Sequence, residues 1–191
     1  MQTKRKDDEL WKVTNPRTVL STPVMNVLTS EVVCKRNGKT KDFHRLDFSS
    51  WVNIVAVTTE QEIVFIRQYR FGSGQLEVEI PGGAVEKGED PLVGGLRELL
   101  EETGYSGENG KIIGKVCPNP AIQDNFCYTV LVENVRKTTE PQLDDMEDIE
   151  VFTIKCEELP DLMRNGSIQH GLVLNALTFY AMSIPDFFNK E

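Results

Sequence analysis

The chain has 191 residues, of which 39% are hydrophobic and 27% charged, a balance that supports one well-packed core with no need of disulfide staples. Its formal net charge of -9 argues against a broad nucleic-acid surface, because tracking phosphates requires clustered Lys and Arg. No apolar run approaches the roughly 20 residues needed to span a bilayer, so no membrane partner is expected. Lys4-Arg5-Lys6 is followed at once by Asp7-Asp8-Glu9 and reads as a solvated terminus. The cysteines Cys34, Cys117, Cys127 and Cys156 have no C-x-x-C spacing, and no secretory leader precedes them. Reduced, semi-buried thiols in a cytoplasmic protein are the expectation, and a zinc site would have to be gathered from scattered positions.

Beyond the terminus, Val24 to Cys34 and Asp42 to Phe48 read as extended segments joined by Asn37-Gly38, a pair suited to the positive φ of a hairpin turn. They form a predicted N-terminal β appendage over residues 1–50. From Trp51 the pattern becomes more apolar, with β-branched runs at 51–58 and 63–70 opening a domain that extends over 51–191. Leu76 to Ile80 alternates strictly, which predicts Leu76, Val78 and Ile80 on a core face and Glu77 and Glu79 on a charged one. After Pro81-Gly82-Gly83 a loop leads to Asp90-Pro91, an N-cap followed by proline at the first helical position, and the helix they start should end at Gly104. Val93, Leu96 and Leu100 recur on its predicted buried side, flanked by Leu92 and Leu99. Strands are expected at 111–117, 126–135 and 149–155, a short helix from Pro160 to Asn165-Gly166, and an apolar helix over 172–182. Without a regular βαβα rhythm, the fold class is α/β with a mixed sheet between helices.

The chemistry concentrates in one segment. Glu98, Glu101 and Glu102 stand at i, i+3 and i+4 and share a helix face, where like charges repel. They also occupy the last turns, where the helix dipole favours cations. A sequence tuned for stability alone would not do this. The compensation that fits is a hard divalent cation, since the three carboxylates span about 6 Å of helix axis. Arg97 supplies an internal counter-charge, with Glu89 of the preceding loop as its partner. Gly82 and Gly83 allow close backbone approach, so a main-chain carbonyl can join the metal shell. An isolated E-x-x-E-E is ordinary on a solvated helix face. Here it lies within G-x5-E-x7-R-E-U-x-E-E-x-G, U being aliphatic, and a chance fit in such a chain is on the order of one in a million.

That series, from Gly83 to Tyr105, resembles the Nudix box. The resemblance implies an α/β/α sandwich and a pyrophosphohydrolase that uses Mg²⁺ or Mn²⁺. Glu98, Glu101, Glu102 and the Gly82 carbonyl are then the implied metal ligands, and Glu102, Glu98 and Arg97 the implied catalytic core. Gly94-Gly95 replaces the alanines usual before the arginine, at a cost of about 1 kcal/mol per glycine in helix propensity. Outside the box, Arg67-Gln68-Tyr69-Arg70 and Pro120 resemble the ADP-ribose pyrophosphatase branch, which implies a nucleotide sugar as substrate. The same resemblance marks Arg70, Glu79 and Arg67 as substrate contacts and Asp145 or Glu147 as the general base. It also implies a homodimer through the N-terminal arm, with Trp51, Phe43 or Phe48 available to stack on a base. GDP-mannose and ADP-glucose are alternative substrates, and a non-catalytic nucleotide-sugar sensor is the alternative of a different class.

Overall fold

The computed structural model describes residues 10–185 and 187; the basic and acidic runs at Lys4 to Glu9 lie outside the described residues. The chain divides into two compact units, the first running to Ser49 and including Cys117–Asn125, the second comprising Ser50–Val116 and the residues from Phe126 onward.

The first unit is an antiparallel sheet of β1 (Trp11–Ser21), β2 (Met25–Cys34) and β3 (Thr40–Phe48), in that order. Asn37-Gly38 makes the turn between β2 and β3: Gly38 has φ 71°, and its N–H donates to the Cys34 carbonyl at 2.8 Å. The strand β1 is not predicted by the sequence pattern, because Asn15-Pro16 signals a loop; Asn15 takes φ 53° within it. It tolerates them as an edge strand that, among the described residues, pairs with β2 alone, and its register slips between Thr14 and Arg17. The segment 117–125 is tied to β3 by hydrogen bonds from the Leu46 N–H to the Ile122 carbonyl and from the Asp124 N–H to the Leu46 carbonyl, and by the ion pair Arg45–Asp124 at 2.9 Å.

The second unit is built on a sheet whose spine is ordered β11-β5-β4-β10-β8. Its strands are β4 (Trp51–Thr58), β5 (Glu62–Arg70), β6 (Gln75–Glu79), β7 (Gly82–Ala84), β8 (Tyr105–Ser106), β9 (Lys111–Val116), β10 (Cys127–Lys137) and β11 (Ile149–Lys155). The β4–β10 pair is parallel and the other pairings are antiparallel, which makes the sheet mixed. Among the described residues three α-helices complete it: α1 (Pro91–Thr103), α2 (Leu159–Arg164) and α3 (Gly171–Met182). Because side chains alternate along β4, Val52, Ile54 and Ala56 pack with Leu99 of α1, while Val55 and Val57 pack with Val173, Ala176 and Leu177 of α3. The sheet therefore lies between helices, an α/β sandwich as the pattern predicted. Each buried Val, Ile or Leu among them contributes roughly 1.5–3 kcal/mol.

The helix α1 is capped as its sequence predicts. Asp90 accepts a hydrogen bond from the Leu92 N–H at 2.8 Å, and Gly104, at φ 72°, ends the helix with its N–H on the Leu100 carbonyl. Its buried face differs from the expected one. Val93 and Leu100 are exposed, while Gly94, Gly95, Leu99, Glu102 and Thr103 are buried. The glycines explain the rotation: a Cβ at Gly95 would stand 3.1 Å from Val52 Cγ2 and 3.3 Å from Val130 Cγ2. The missing side chain at Gly95 lets α1 lie close on the sheet, whereas a Cβ at Gly94 would meet the Glu89 carboxylate at 2.8 Å; Glu102 is buried on this face, and the Glu101 side chain stays 45% exposed.

All four cysteines are free; Cys127 is buried and Cys34 and Cys156 half-buried, but Cys117 is exposed, contrary to expectation. Among the described residues no helix is long and apolar enough to cross a membrane.

Candidate active site

The loop and helix of the box bring its charged residues together. Arg97 sits at the centre of the group. Its Nε donates to Glu89 Oε1 at 3.1 Å, and its Nη1 donates to Glu98 Oε1 and Glu101 Oε2, each at 2.9 Å. The arginine, aided by the Glu86 N–H, holds the Glu89 carboxyl below the usual range. Glu102 is 5% exposed and accepts a hydrogen bond from the Gly82 N–H at 2.9 Å. A Cβ at Gly83 would overlap the Glu98 carboxylate, so this glycine makes room for a functional group.

Burial pushes Glu102 up to about 8, against the pull of the Gly82 N–H, and the like charges of Glu98 and Glu147 add to the shift. Glu98 is raised as well, first by burial and then by Glu101 and Glu147, with Arg97 opposing. Both carboxyls are thus raised chiefly by burial, with neighbouring acids adding to it, a condition that a divalent cation would relieve. The donor set is all oxygen, which suits a hard ion. The three box glutamates do not yet converge, and among the described residues no three acidic, His or Cys side chains are gathered for a metal. Arg97 draws Glu98 and Glu101 to itself, so metal binding would require those two to turn away from it.

A cleft of about 690 Å³ opens in the same unit, with Trp51, Arg70, Phe71, Glu77 and Asp148 among its walls. Here the structure corrects the reading of β6. Leu76 is 63% exposed, whereas Glu77 and Glu79 are 8% and 3% exposed. Buried carboxylates persist where they are paired. Glu79 receives both Arg70 Nε at 2.7 Å and Arg70 Nη2 at 2.8 Å, and Glu77 accepts from Gln75 Nε2 at 3.1 Å. The guanidinium of Arg70 also lies 5.9 Å from the centre of the Trp51 ring. The indole Nε1 of Trp51 donates to Asn53 Oδ1 at 2.9 Å, which fixes the ring as a wall of the cleft.

Of the two acids offered as base, Glu147 is the one whose charge acts on Glu98, Glu102 and Arg70. Arg67 turns elsewhere: its Nη1 donates to Glu150 of β11, and its guanidinium lies 5.1 Å from the Phe152 ring. Phe43 and Phe48 belong to the first unit. Sequence reasoning missed Asn53, Glu77 and His170. Asn53 reads as one polar residue in an apolar strand, and Glu77 as the solvent side of an alternating one. His170 carried a faint signal, its place at the start of the last apolar helix.

Residues 49–173 match the model of the NUDIX domain. An ADP-ribose pyrophosphatase of Bacillus subtilis (strain 168) is 33% identical over 76% of this chain and 77% of its own length. An ADP-sugar pyrophosphatase of Mus musculus is 31% identical over 78% and 69%. A methanol dehydrogenase activator of Bacillus methanolicus is 33% identical over 75% and 78%. In fold, the chain is similar to a crystal structure of an ADP compounds hydrolase, with a TM-score of 0.81 over 96% of both chains at 18% identity. With an unbroken box whose carboxylates gather around Arg97 between a sheet and its helix, the chain belongs to the Nudix family of hydrolases.

Proposed function

We propose that the chain hydrolyses the diphosphate bridge of nucleoside-diphosphate sugars, with ADP-ribose as the preferred substrate and AMP and ribose 5-phosphate as products. One observation carries the reading. Arg70 links two regions: it lines the cleft with Trp51 and Glu77, its guanidinium 5.9 Å from the Trp51 ring, and its charge acts with Glu102 and Glu147 on the other side. A diphosphate near that arginine would place its phosphorus by the box glutamates and its sugar in the cleft. The printed activities of the Bacillus subtilis and Mus musculus relatives support the substrate class.

Glu98, Glu101 and Glu102, with the Gly82 carbonyl, would hold Mg²⁺ or Mn²⁺, which when bound neutralises diphosphate oxygens and favours attack by water. Glu147 is assigned as the base that takes a proton from the attacking water as its oxygen bonds to phosphorus and the bridging P–O bond breaks. Arg97 orients the box acids, and Arg70, held in direction by Glu79, offsets charge on the diphosphate. Trp51 provides an aromatic wall for the bound substrate.

Purified protein with Mg²⁺ should cleave ADP-ribose faster than GDP-mannose, ADP-glucose, a dinucleoside polyphosphate or a nucleoside triphosphate, with products identified by chromatography. Preference for the triphosphate would overturn the reading. We assign the chain to a homodimer through its N-terminal arm, a reading supported by the exposed Trp11, Val13, Leu20 and Phe43 of the first unit. Sedimentation should then report twice the chain mass. The free cysteines support a cytoplasmic location.

A further inference from the structure

His170 stands at the N-cap of α3, a place where Ser, Thr, Asp and Asn are the usual residues. It does the capping with its ring: the Val173 N–H donates to His170 Nδ1 at 3.3 Å. An imidazole that accepts at Nδ1 is neutral and carries its hydrogen on Nε2, so the far side of the ring is a donor. The ring also lines the cleft, as do Glu77 and Gln68. Glu77 is buried beside the cleft, at the strand position paired with Gln68. Gln68 Oε1 is buried and has no hydrogen-bond partner among the described residues. One wall thus offers a donor, a carboxylate acceptor and an unmet amide acceptor, reached from the box glutamates by way of Arg70.

Neighbouring donors and acceptors of this kind match the hydroxyls of a sugar, each of which both gives and receives a hydrogen bond. We propose that His170 determines specificity in this cleft, its Nε2 hydrogen donated to a hydroxyl of the sugar beyond the diphosphate while Glu77 accepts from an adjacent hydroxyl. This rests on the nucleoside-diphosphate-sugar reading above. The ring has two tasks that can be separated: Nδ1 holds the helix, and Nε2 reads the substrate.

His170→Asn separates them, because asparagine caps helices well but has no group reaching as far as Nε2. His170→Ala removes both functions. The measured quantity is selectivity, the ratio of kcat/KM for ADP-ribose to that for the methyl ester of ADP, which keeps the diphosphate and lacks the second sugar. His170→Asn should melt at the wild-type temperature and lose about tenfold of that ratio, through KM for ADP-ribose, as expected for one hydrogen bond. His170→Ala should lose the same ratio and melt lower. An unaltered ratio in His170→Asn, or equal losses on both substrates, would overturn the role of His170 and leave the functional reading intact. Wild-type protein inert toward every nucleoside-diphosphate sugar would instead overturn both.

Discussion

The two units reach order by different means. In the second, β4 is buried from Val52 to Thr58, and two apolar clusters fill the space between sheet and helices. In the first, Thr29 is the one buried residue of the three strands, and Trp11, Val13, Val19, Leu20 and Phe43 are each about half exposed or more. Its hydrogen-bond ladder is nonetheless regular, with β2 and β3 paired residue by residue from Met25↔Phe48 to Val33↔Thr40. Backbone pairing can define a sheet, but apolar burial makes one stable. The second unit has its own core. The first has a surface suited to being covered.

Changes at the two units should therefore differ in kind. The largest effect belongs to Glu102→Gln, which should lower kcat on the order of a thousandfold if, as proposed, several kcal/mol of transition-state stabilisation pass through a metal held there. The variant should keep the wild-type far-ultraviolet circular dichroism spectrum, which separates chemistry from folding. Leu99→Ala, in the second core, should cost about 2–5 kcal/mol in urea unfolding. Gly104→Ala should also destabilise, by about 1–2 kcal/mol from its left-handed φ and by more because the new Cβ would meet the Thr139 carbonyl.

A pH series provides a finer test. The folded state raises Glu102 from 4.5 to about 8, so it binds a proton there more tightly than the unfolded chain does. The resulting stability is fully present below pH 4.5 and is lost as pH rises toward 8, so metal-free protein should melt progressively lower across that window. Added Mg²⁺ should raise the melting temperature more at the alkaline end, and Glu102→Gln should flatten the metal-free profile. The smallest effect is expected for Val13→Ser in the first unit, within about 0.5 kcal/mol for unfolding of the chain. A loss comparable to that of Leu99→Ala would contradict the contrast between the units.

Much of this arrangement can be read from residues alone. The hairpin turn at Asn37-Gly38, both caps of α1 and the central strands follow from local rules, and the box follows from its spacing. Orientation does not. Alternation along β6 separates Leu76 from Glu77 but cannot say which faces inward, and pairing with Arg70 and Gln75 reversed the hydrophobic expectation. In α1 the leucine and valine stripe predicted one face, while the close approach to the sheet at Gly95 selected another. Both failures occur beside the candidate site, where chemistry outweighs the burial of apolar surface. The strand β1 was obscured by Asn15 and Pro16, whose loop character an edge strand can absorb.

The parallel pairing of β4 with β10 has a kinetic consequence. Trp51 and Cys127 are partners across it, although more than a third of the chain separates them. That register cannot form during synthesis until the box, its helix and the returning segment have all emerged, whereas the β2–β3 hairpin needs only its own turn. Refolding should accordingly show an early phase from the local hairpin and a slower one when the central ladder closes, and the acidic helix would meet the sheet only in the second.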